Sequence, residues 1–226
     1  MGDWPTGTFL HRLPRPDRVA LESLGVSRRA VPGTVLLRAG EPGAHALLLQ
    51  RALVKIAAPG PGGRDVLLAI RAPGDLVGDV AVLNDRPRGA SVVACGEVYF
   101  RLITQTDLRT YLRRYPAAAL ELAGLVSDRL RWANERRADA PGLPAETRLA
   151  RALAELGSSY GESCPRGVEI GLDITQPELA ALIGVSEKTV YRALIRLRED
   201  GLIDTGFRRI FVTDHDGLLH AGHLTP

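Results

Sequence analysis

The stretch Thr175 to Gly201, TQPELAALIGVSEKTVYRALIRLREDG, leaves this chain few ways to fold. Thr175 and Glu178 have the spacing of a capping box, and Pro177 falls in the first helical turn, where its missing amide proton costs nothing. The spacing predicts a short helix from Thr175 with Leu179, Leu182 and Ile183 on one face. Gly184 ends it, being free to turn sharply out of a helix. Ser186 then caps a second helix, whose Val190, Ala193, Leu194 and Leu197 share a face until Gly201. Two helices joined by so few residues must cross steeply. Ala180, Gly184 and Val190 are small or branched where the two would press together, which is the pattern of a helix-turn-helix.

The other face of the second helix carries Glu187, Lys188, Tyr191, Arg192 and Arg196. On an isolated helix such a row is a solvated surface. Here it follows a sharp turn and precedes a hairpin, Leu202 to Asp204 and Ile210 to Thr213, around Gly206, Arg208 and Arg209. That order predicts a winged DNA-binding unit in which the charges have a partner. The candidate DNA contacts are Thr175, Gln176, Ser186, Glu187, Lys188, Thr189, Tyr191, Arg192, Arg196, Arg208 and Arg209. From Ala145 onward 9 Lys+Arg face 12 Asp+Glu, so this half is acidic although the whole chain is +3. Affinity must then come from the local cluster Lys188, Arg192, Arg196, Arg208 and Arg209, with modest non-specific binding and a shallow salt dependence.

With 226 residues the chain suits two small domains. Val19, Leu21 and Leu24 recur at helical spacing after Pro16-Asp17, and Gly25 stops that segment. From Val31 to Leu102 glycine or proline punctuates the chain every few residues. Between them lie the runs Val35 to Leu37, Leu47 to Leu49, Val66 to Ile70 and Val92 to Ala94, which predict a small antiparallel sandwich or barrel. Thr104 and Asp107 then cap a short helix to Tyr115. Pro116 opens a longer one to about Arg137, ahead of Pro141-Gly142 and Pro144. Ala119, Ala123, Val126, Leu130 and Ala133 form a coiled-coil seam on it, able to pack on its own barrel, on a second copy, or on both. A helix from Ala145 to Leu156 and the alternation Val168, Ile170, Leu172, Ile174 complete the chain.

Several classes recede. Neither end has the pattern of a targeting signal, and Leu47 to Ala58 is too short and too interrupted by Arg51 and Lys55 to span a membrane, so a soluble cytoplasmic protein is expected. Cys95 and Cys164 are too few for a disulfide framework and are expected to be buried thiols. No nucleophile elbow, paired catalytic carboxylates, zinc spacing or Walker loop is present, so no enzyme is expected. Asp214, His215, Asp216, His220 and His223 lie in what looks like an exposed tail without a fourth ligand at a metal-binding spacing, so no metal is expected.

The stretch with chemical character in the barrel is Gly74 to Ala94, GDLVGDVAVLNDRPRGASVVA. Arg88 beside the small Gly89 and Ala90 suits a phosphate, and the Asp79 carboxylate suits a sugar hydroxyl. The same residues also suit a surface salt bridge.

With these motifs the chain resembles, over about residues 9 to 220, the cyclic-AMP receptor protein and fumarate-nitrate regulator family of bacterial transcription factors. Gly78, Asp79, Pro87, Arg88, Gly89 and Ala90 look like its phosphate-binding cassette, a glycine and an acid ahead of a short helix and a Pro-Arg-small-Ala sequence. The resemblance implies an α+β chain in three parts. These are a cyclic-nucleotide-binding-like β-barrel (jelly roll) over 1–115, a dimerisation helix and hinge over 116–140, and a winged helix-turn-helix over 141–226. It implies a homodimer through residues 116–138, a palindromic double-stranded promoter site, RNA polymerase as a partner, and cyclic AMP or cyclic GMP as effector. Arg88 would pair with the cyclic phosphate, helped by the amides of Gly89 and Ala90; Asp79 would accept the ribose 2'-hydroxyl beside Gly78, and Asn134 would reach the base, across the dimer included. A barrel without a ligand, or one that senses something else, is the alternative.

Four positions depart from the family pattern. Asp79 is one methylene shorter than the usual Glu, Ala133-Asn134 replaces a Thr-Ser pair, and Ala52 stands where a turn glycine is usual. Ser186-Glu187-Lys188-Thr189-Val190 also exchanges two charges relative to the family's Ser-Arg-Glu-Thr-Val, while Arg192 is retained. Arg192 can meet a guanine edge and Glu187 can accept from cytosine, so the expected site keeps one guanine per half and alters its neighbour.

Overall fold

Strand residues 45 to 51, HALLLQR, lack the polar alternation of a half-solvated strand, and the architecture shows why. The computed structural model describes residues 4–5, 7–60, 65–170, 174–206 and 209–224, with backbone alone at 135–141 and 159. The chain divides into two compact units, 1–130 and 131–226.

In the first unit α1 (Phe9–Arg12) and α2 (Arg15–Ser23) precede the strands β1 (Val26–Ala30), β2 (Val35–Leu37), β3 (His45–Arg51), β4 (Val54–Pro59), β5 (Asp65–Arg71) and β6 (Leu76–Val77). The helix α3 (Asp79–Asn84) separates these from β7 (Ser91–Ala94) and β8 (Val98–Thr104), and α4 (Gln105–Arg114) follows; α5 (Pro116–Gly142) begins in the first unit and ends in the second. Two antiparallel sheets result, ordered β1-β8-β3-β6 and β2-β7-β4-β5. Leu47 and Leu49 of β3 join Leu37, Val54, Val77, Val92 and Phe100 in one buried cluster. Ala46 and Leu48, on the opposite face, join Phe9, Leu21, Ile103, Leu108 and Leu122, most of them from helices. A strand covered on both faces has no solvent side to keep polar.

The expected barrel is present, and it reaches further than its sequence runs, from Val26 to Thr104. The short α1 was not foreseen. Val19 is 47% exposed while Leu21 is buried, because residues two apart on a helix point to nearly opposite sides, and Leu24 lies just past the end of α2. Ala52, in the turn after β3, has φ 63, the left-handed region that favours glycine. Cys95 and Cys164 are half-buried rather than buried. The helix α5 continues beyond Arg137 through Pro141 to Gly142; a proline so near an end interrupts a single backbone bond. On α5, Ala118, Leu122 and Leu125 are buried within the unit, whereas Leu120 and Leu130 are 75% and 61% exposed.

The second unit contains α6 (Ala145–Tyr160), the hairpin β9 (Gly161–Cys164) and β10 (Gly167–Ile170), α7 (Gln176–Ile183), α8 (Glu187–Glu199), β11 (Ile203–Gly206), β12 (Arg209–Val212) and α9 (His215–Ala221). Its sheet is ordered β11-β12-β10-β9. The helix α6 runs past Leu156 to Tyr160, and Gly157 lies against β12, where a Cβ would stand 3.3 Å from Val212. The C-terminal segment is not a tail: the Asp214 carboxylate accepts from the Gly217 amide at 2.9 Å to cap α9, and Leu218 is fully buried. Leu172 lies outside the described residues. Among those described, no helix is long and apolar enough to cross a membrane, and no group of three or more His, Cys, Asp or Glu is placed to hold a metal.

Candidate functional site

The first unit holds a cavity of about 510 Å³, lined by Leu37, Ile56, Leu68, Val77 and Val92 together with Arg71, Gly78, Asp79, Arg88, Gly89, Ala90 and Arg129. Every cassette residue named from the sequence except Asn134 therefore faces one space. Asn134 is exposed on α5, in the second unit. Local chain geometry builds the site. Gly78 has φ 79, and a Cβ there would stand 2.6 Å from Arg88 Nη1 and 2.7 Å from Leu37 Cδ1, so the Arg88 side chain occupies space that only glycine leaves open. Asp79 then starts α3.

Arg88 is 5% exposed and Asp79 4%, which removes the surface salt bridge from consideration. Nor do they pair with each other. Arg88 donates through Nη2 to the His45 carbonyl at 2.7 Å, while its Nη1 is buried and has no hydrogen-bond partner among the described residues. Burial lowers the Arg88 pKa, a sign that its charge is under-solvated. The Asp79 Oδ2 atom is likewise buried without a hydrogen bond, with Arg129 Nη1 of α5 at 3.6 Å. Burial pushes the Asp79 carboxyl above the usual carboxylate range; Arg129, a backbone hydrogen bond and Arg71 oppose this only in part. A raised carboxyl pKa means that the folded state holds the proton longer than the unfolded one. This group's contribution to stability therefore declines as pH rises from the ordinary carboxylate range through the raised value.

Arg129 was not foreseen. Its Nη2 also donates to Asp75 Oδ1 at 3.1 Å, and both partners are largely buried. The lining thus holds three guanidiniums (Arg71, Arg88, Arg129) and one carboxylate, Asp79, while Asp75 pairs with Arg129 and the Glu41 charge acts on Arg88. The two orphaned atoms specify complementary partners: Arg88 Nη1 needs an acceptor and Asp79 Oδ2 a donor. An anion with a hydroxyl beside it meets both demands.

In the second unit the capping residues sit as expected. Thr175 Oγ1 accepts from the Glu178 amide at 3.4 Å and Glu178 Oε2 from the Thr175 amide at 2.8 Å. Ser186 Oγ accepts from the Thr189 amide at 3.2 Å. Gly184, at φ 68, closes α7, and Arg148 Nη1 donates to the Ile183 carbonyl at 2.8 Å, placing a cation on the last turn. Glu187, Lys188, Tyr191 and Arg192 are exposed on α8. Arg196 turns instead toward α6, 3.2 Å from Glu146 Oε2, and Arg209 lies 3.1 Å from Glu169 Oε1. Arg208 lies outside the described residues.

A depression of about 380 Å³ gathers Thr175, Gln176, Tyr191 and Arg209 with Arg198. Arg198 escaped the sequence reading although it stands two turns beyond Tyr191, a spacing that could have revealed it.

Known proteins show the same two parts. The family model of the cyclic nucleotide-binding domain matches residues 27–115, and that of the Crp-like helix-turn-helix domain matches 147–221. The cyclic AMP receptor protein of Thermus thermophilus is 31% identical over 192 residues, 84% of this chain and 86% of that protein. The CRP-like cAMP-activated global transcriptional regulator of Mycobacterium tuberculosis is 28% identical over 82% of this chain and 83% of that one. A CRP/FNR-family transcriptional regulator of T. thermophilus has a similar structure, with a TM-score of 0.73, 25% identity, and coverage of 88% of this chain and 98% of that one. The chain belongs to the cyclic-AMP receptor protein and fumarate-nitrate regulator family of DNA-binding transcription regulators, with a cyclic nucleotide-binding domain ahead of a helix-turn-helix.

Proposed function

We propose that this regulator is a homodimer whose first unit binds a cyclic mononucleotide, cyclic AMP or cyclic GMP, and thereby controls promoter binding by the second. The observation that carries the reading is the pair of buried orphan atoms, Arg88 Nη1 and Asp79 Oδ2, on two residues that line one cavity. A cyclic phosphodiester supplies the acceptor and the single negative charge, and the ribose 2'-hydroxyl supplies the donor. Arg88 would hold the phosphate with the Gly89 and Ala90 amides, and Arg129 would steady Asp79, whose side chain is short. Asn134 would meet the base, from its own copy or the partner's. The protein performs no catalysis in this reading, and it acts in the cytoplasm on double-stranded, palindromic promoter DNA together with RNA polymerase.

Titration calorimetry with cyclic AMP, cyclic GMP and the 2'-deoxy form of the tighter ligand tests the site. The deoxy ligand leaves Asp79 Oδ2 orphaned and should bind about tenfold more weakly, the size of one hydrogen bond to a charged group. Equal affinity for the deoxy form would remove Asp79 from the site. A hydroxyl that donates to Asp79 favours its ionised form, so binding should release protons and weaken as pH falls through the raised Asp79 pKa. Calorimetry in buffers of different ionisation enthalpy measures that release.

On the DNA side, Arg192 is exposed on α8 and faces away from the buried Val190, Ala193, Leu194 and Leu197. Replacing Arg192 with Ala should cost about 1 to 3 kcal/mol and relax one base position. Binding to randomised half-sites checks this, and a uniform loss over all sequences would reduce Arg192 to a phosphate contact.

A further inference from the structure

The helix that presents Asp79 cannot hold its own shape. α3 has six residues, too few for a helix to persist unaided, and its last carbonyls have no intrahelical donors. Two side chains of α4 supply those donors. Arg109 donates to the Val82 carbonyl through Nε at 3.1 Å and Nη2 at 2.8 Å, and to the Leu83 carbonyl at 3.1 Å. Gln105 Nε2 donates to the same Val82 carbonyl at 3.0 Å. Both also grip the next residue: Arg109 Nη2 reaches Asp85 Oδ2 at 2.8 Å and Gln105 Nε2 reaches Asp85 Oδ1 at 2.6 Å.

Asp85 needs holding. It has φ 53 and ψ 33, a left-handed conformation that a residue with a Cβ adopts reluctantly. It is also the corner from which the chain runs through Arg86, whose amide donates to Asn84 Oδ1 at 3.1 Å, and Pro87 to Arg88. Gln105 and Arg109 stand four residues apart, on one face of α4. Their helix is fixed by Leu108 and Tyr111 in the core and by its Thr104 cap. Neither side chain lines the cavity.

We propose that Gln105 and Arg109 are positioning residues, holding the segment from Asp79 to Arg88 in its ligand-ready geometry and so setting effector affinity without touching the effector. This rests on the reading of the cavity as a cyclic-nucleotide site. The Arg109–Asp85 ion pair is largely at the surface, 32% and 68% exposed, where such a pair adds little to overall stability. Its consequence is the geometry of α3 and of the corner at Asp85.

The test uses the full chain as parent, Arg109→Ala and Arg109→Lys. It combines calorimetric titration with cyclic AMP and cyclic GMP, thermal unfolding of the ligand-free proteins, and amide hydrogen exchange over residues 79–90. A segment that spends about one-tenth of its time in the binding geometry binds about tenfold more weakly. Arg109→Ala should therefore lose about tenfold in affinity and exchange faster over 79–90, with the unfolding midpoint little changed. Arg109→Lys should recover part of the affinity, since an ammonium can still meet the Val82 carbonyl. Affinity equal to the parent's, or lost only in step with the unfolding midpoint, overturns the proposal. Should the parent bind neither nucleotide, the cavity reading fails and exchange decides the proposal alone. Unchanged exchange over 79–90 in Arg109→Ala then overturns it, and faster exchange at an unchanged midpoint upholds the holding of the segment while overturning its link to nucleotide affinity.

Discussion

Arg88→Ala should reduce cyclic-nucleotide affinity at least about 100-fold, near 3 kcal/mol, and leave a folded protein that no longer responds to the effector. The guanidinium is buried; among the described residues one terminal nitrogen donates to the His45 carbonyl and the other has no hydrogen-bond partner. Removing one member of a buried, hydrogen-bonded charge pair costs about 2 to 5 kcal/mol, much of it from the charge left behind, here the ligand phosphate. The empty protein has no such pair to lose at Arg88, and the change relieves an under-solvated cation. Stability should therefore fall little or even rise while binding collapses, a divergence that calorimetric titration and thermal unfolding read side by side. An alanine variant that binds as tightly as the parent would remove the anion site.

Leu130→Glu should have the other large effect, on assembly. Three faces of α5 explain why. Ala118, Leu122 and Leu125 are buried within the first unit. On the flank about a quarter turn away lie Ala123 and Leu130, both exposed, with Ala119 and Val126 half-buried. The opposite flank carries Glu121 and Asp128, the latter paired with Arg12 at 2.7 Å. An apolar stripe left open on an otherwise packed and charged helix is what a second copy would cover. A carboxylate at an already exposed position spares the fold and meets its own like charge across a two-fold axis. Analytical ultracentrifugation should then show a monomer. Affinity for a two-half-site DNA should drop about 10² to 10⁴-fold with loss of bivalent engagement. A variant that remains dimeric would place the interface elsewhere.

The helix-turn-helix was legible in the sequence because its determinants are local. Thr175 with Glu178, Ser186 with Thr189, and Gly184 act across one helical turn, and each is found in its expected role. The cassette was legible for the same reason, since Gly78 and Arg88 shape one another within a single short excursion. What escaped is carried by pairs remote in sequence. Arg129 and Asp75 are 54 positions apart, and Arg196 and Glu146 are 50 apart. No periodicity announces such a pair, so the expected neighbour of Asp79 was Arg88 when the ionic partner is Arg129. The segment after Asp214 differs for another reason: it reads as an exposed tail, while a single buried Leu218 and an Asp214 cap are enough to make it a packed helix.

The coupling itself is tested most directly by the affinity of the unmodified protein for a selected palindromic site, measured at one fixed salt concentration without nucleotide, with cyclic AMP and with cyclic GMP. Coupling of about 1 to 3 kcal/mol predicts a change of about 5- to 150-fold with one of the two nucleotides. The same affinity in all three conditions would contradict the account, leaving a DNA-binding regulator whose cavity does not govern it.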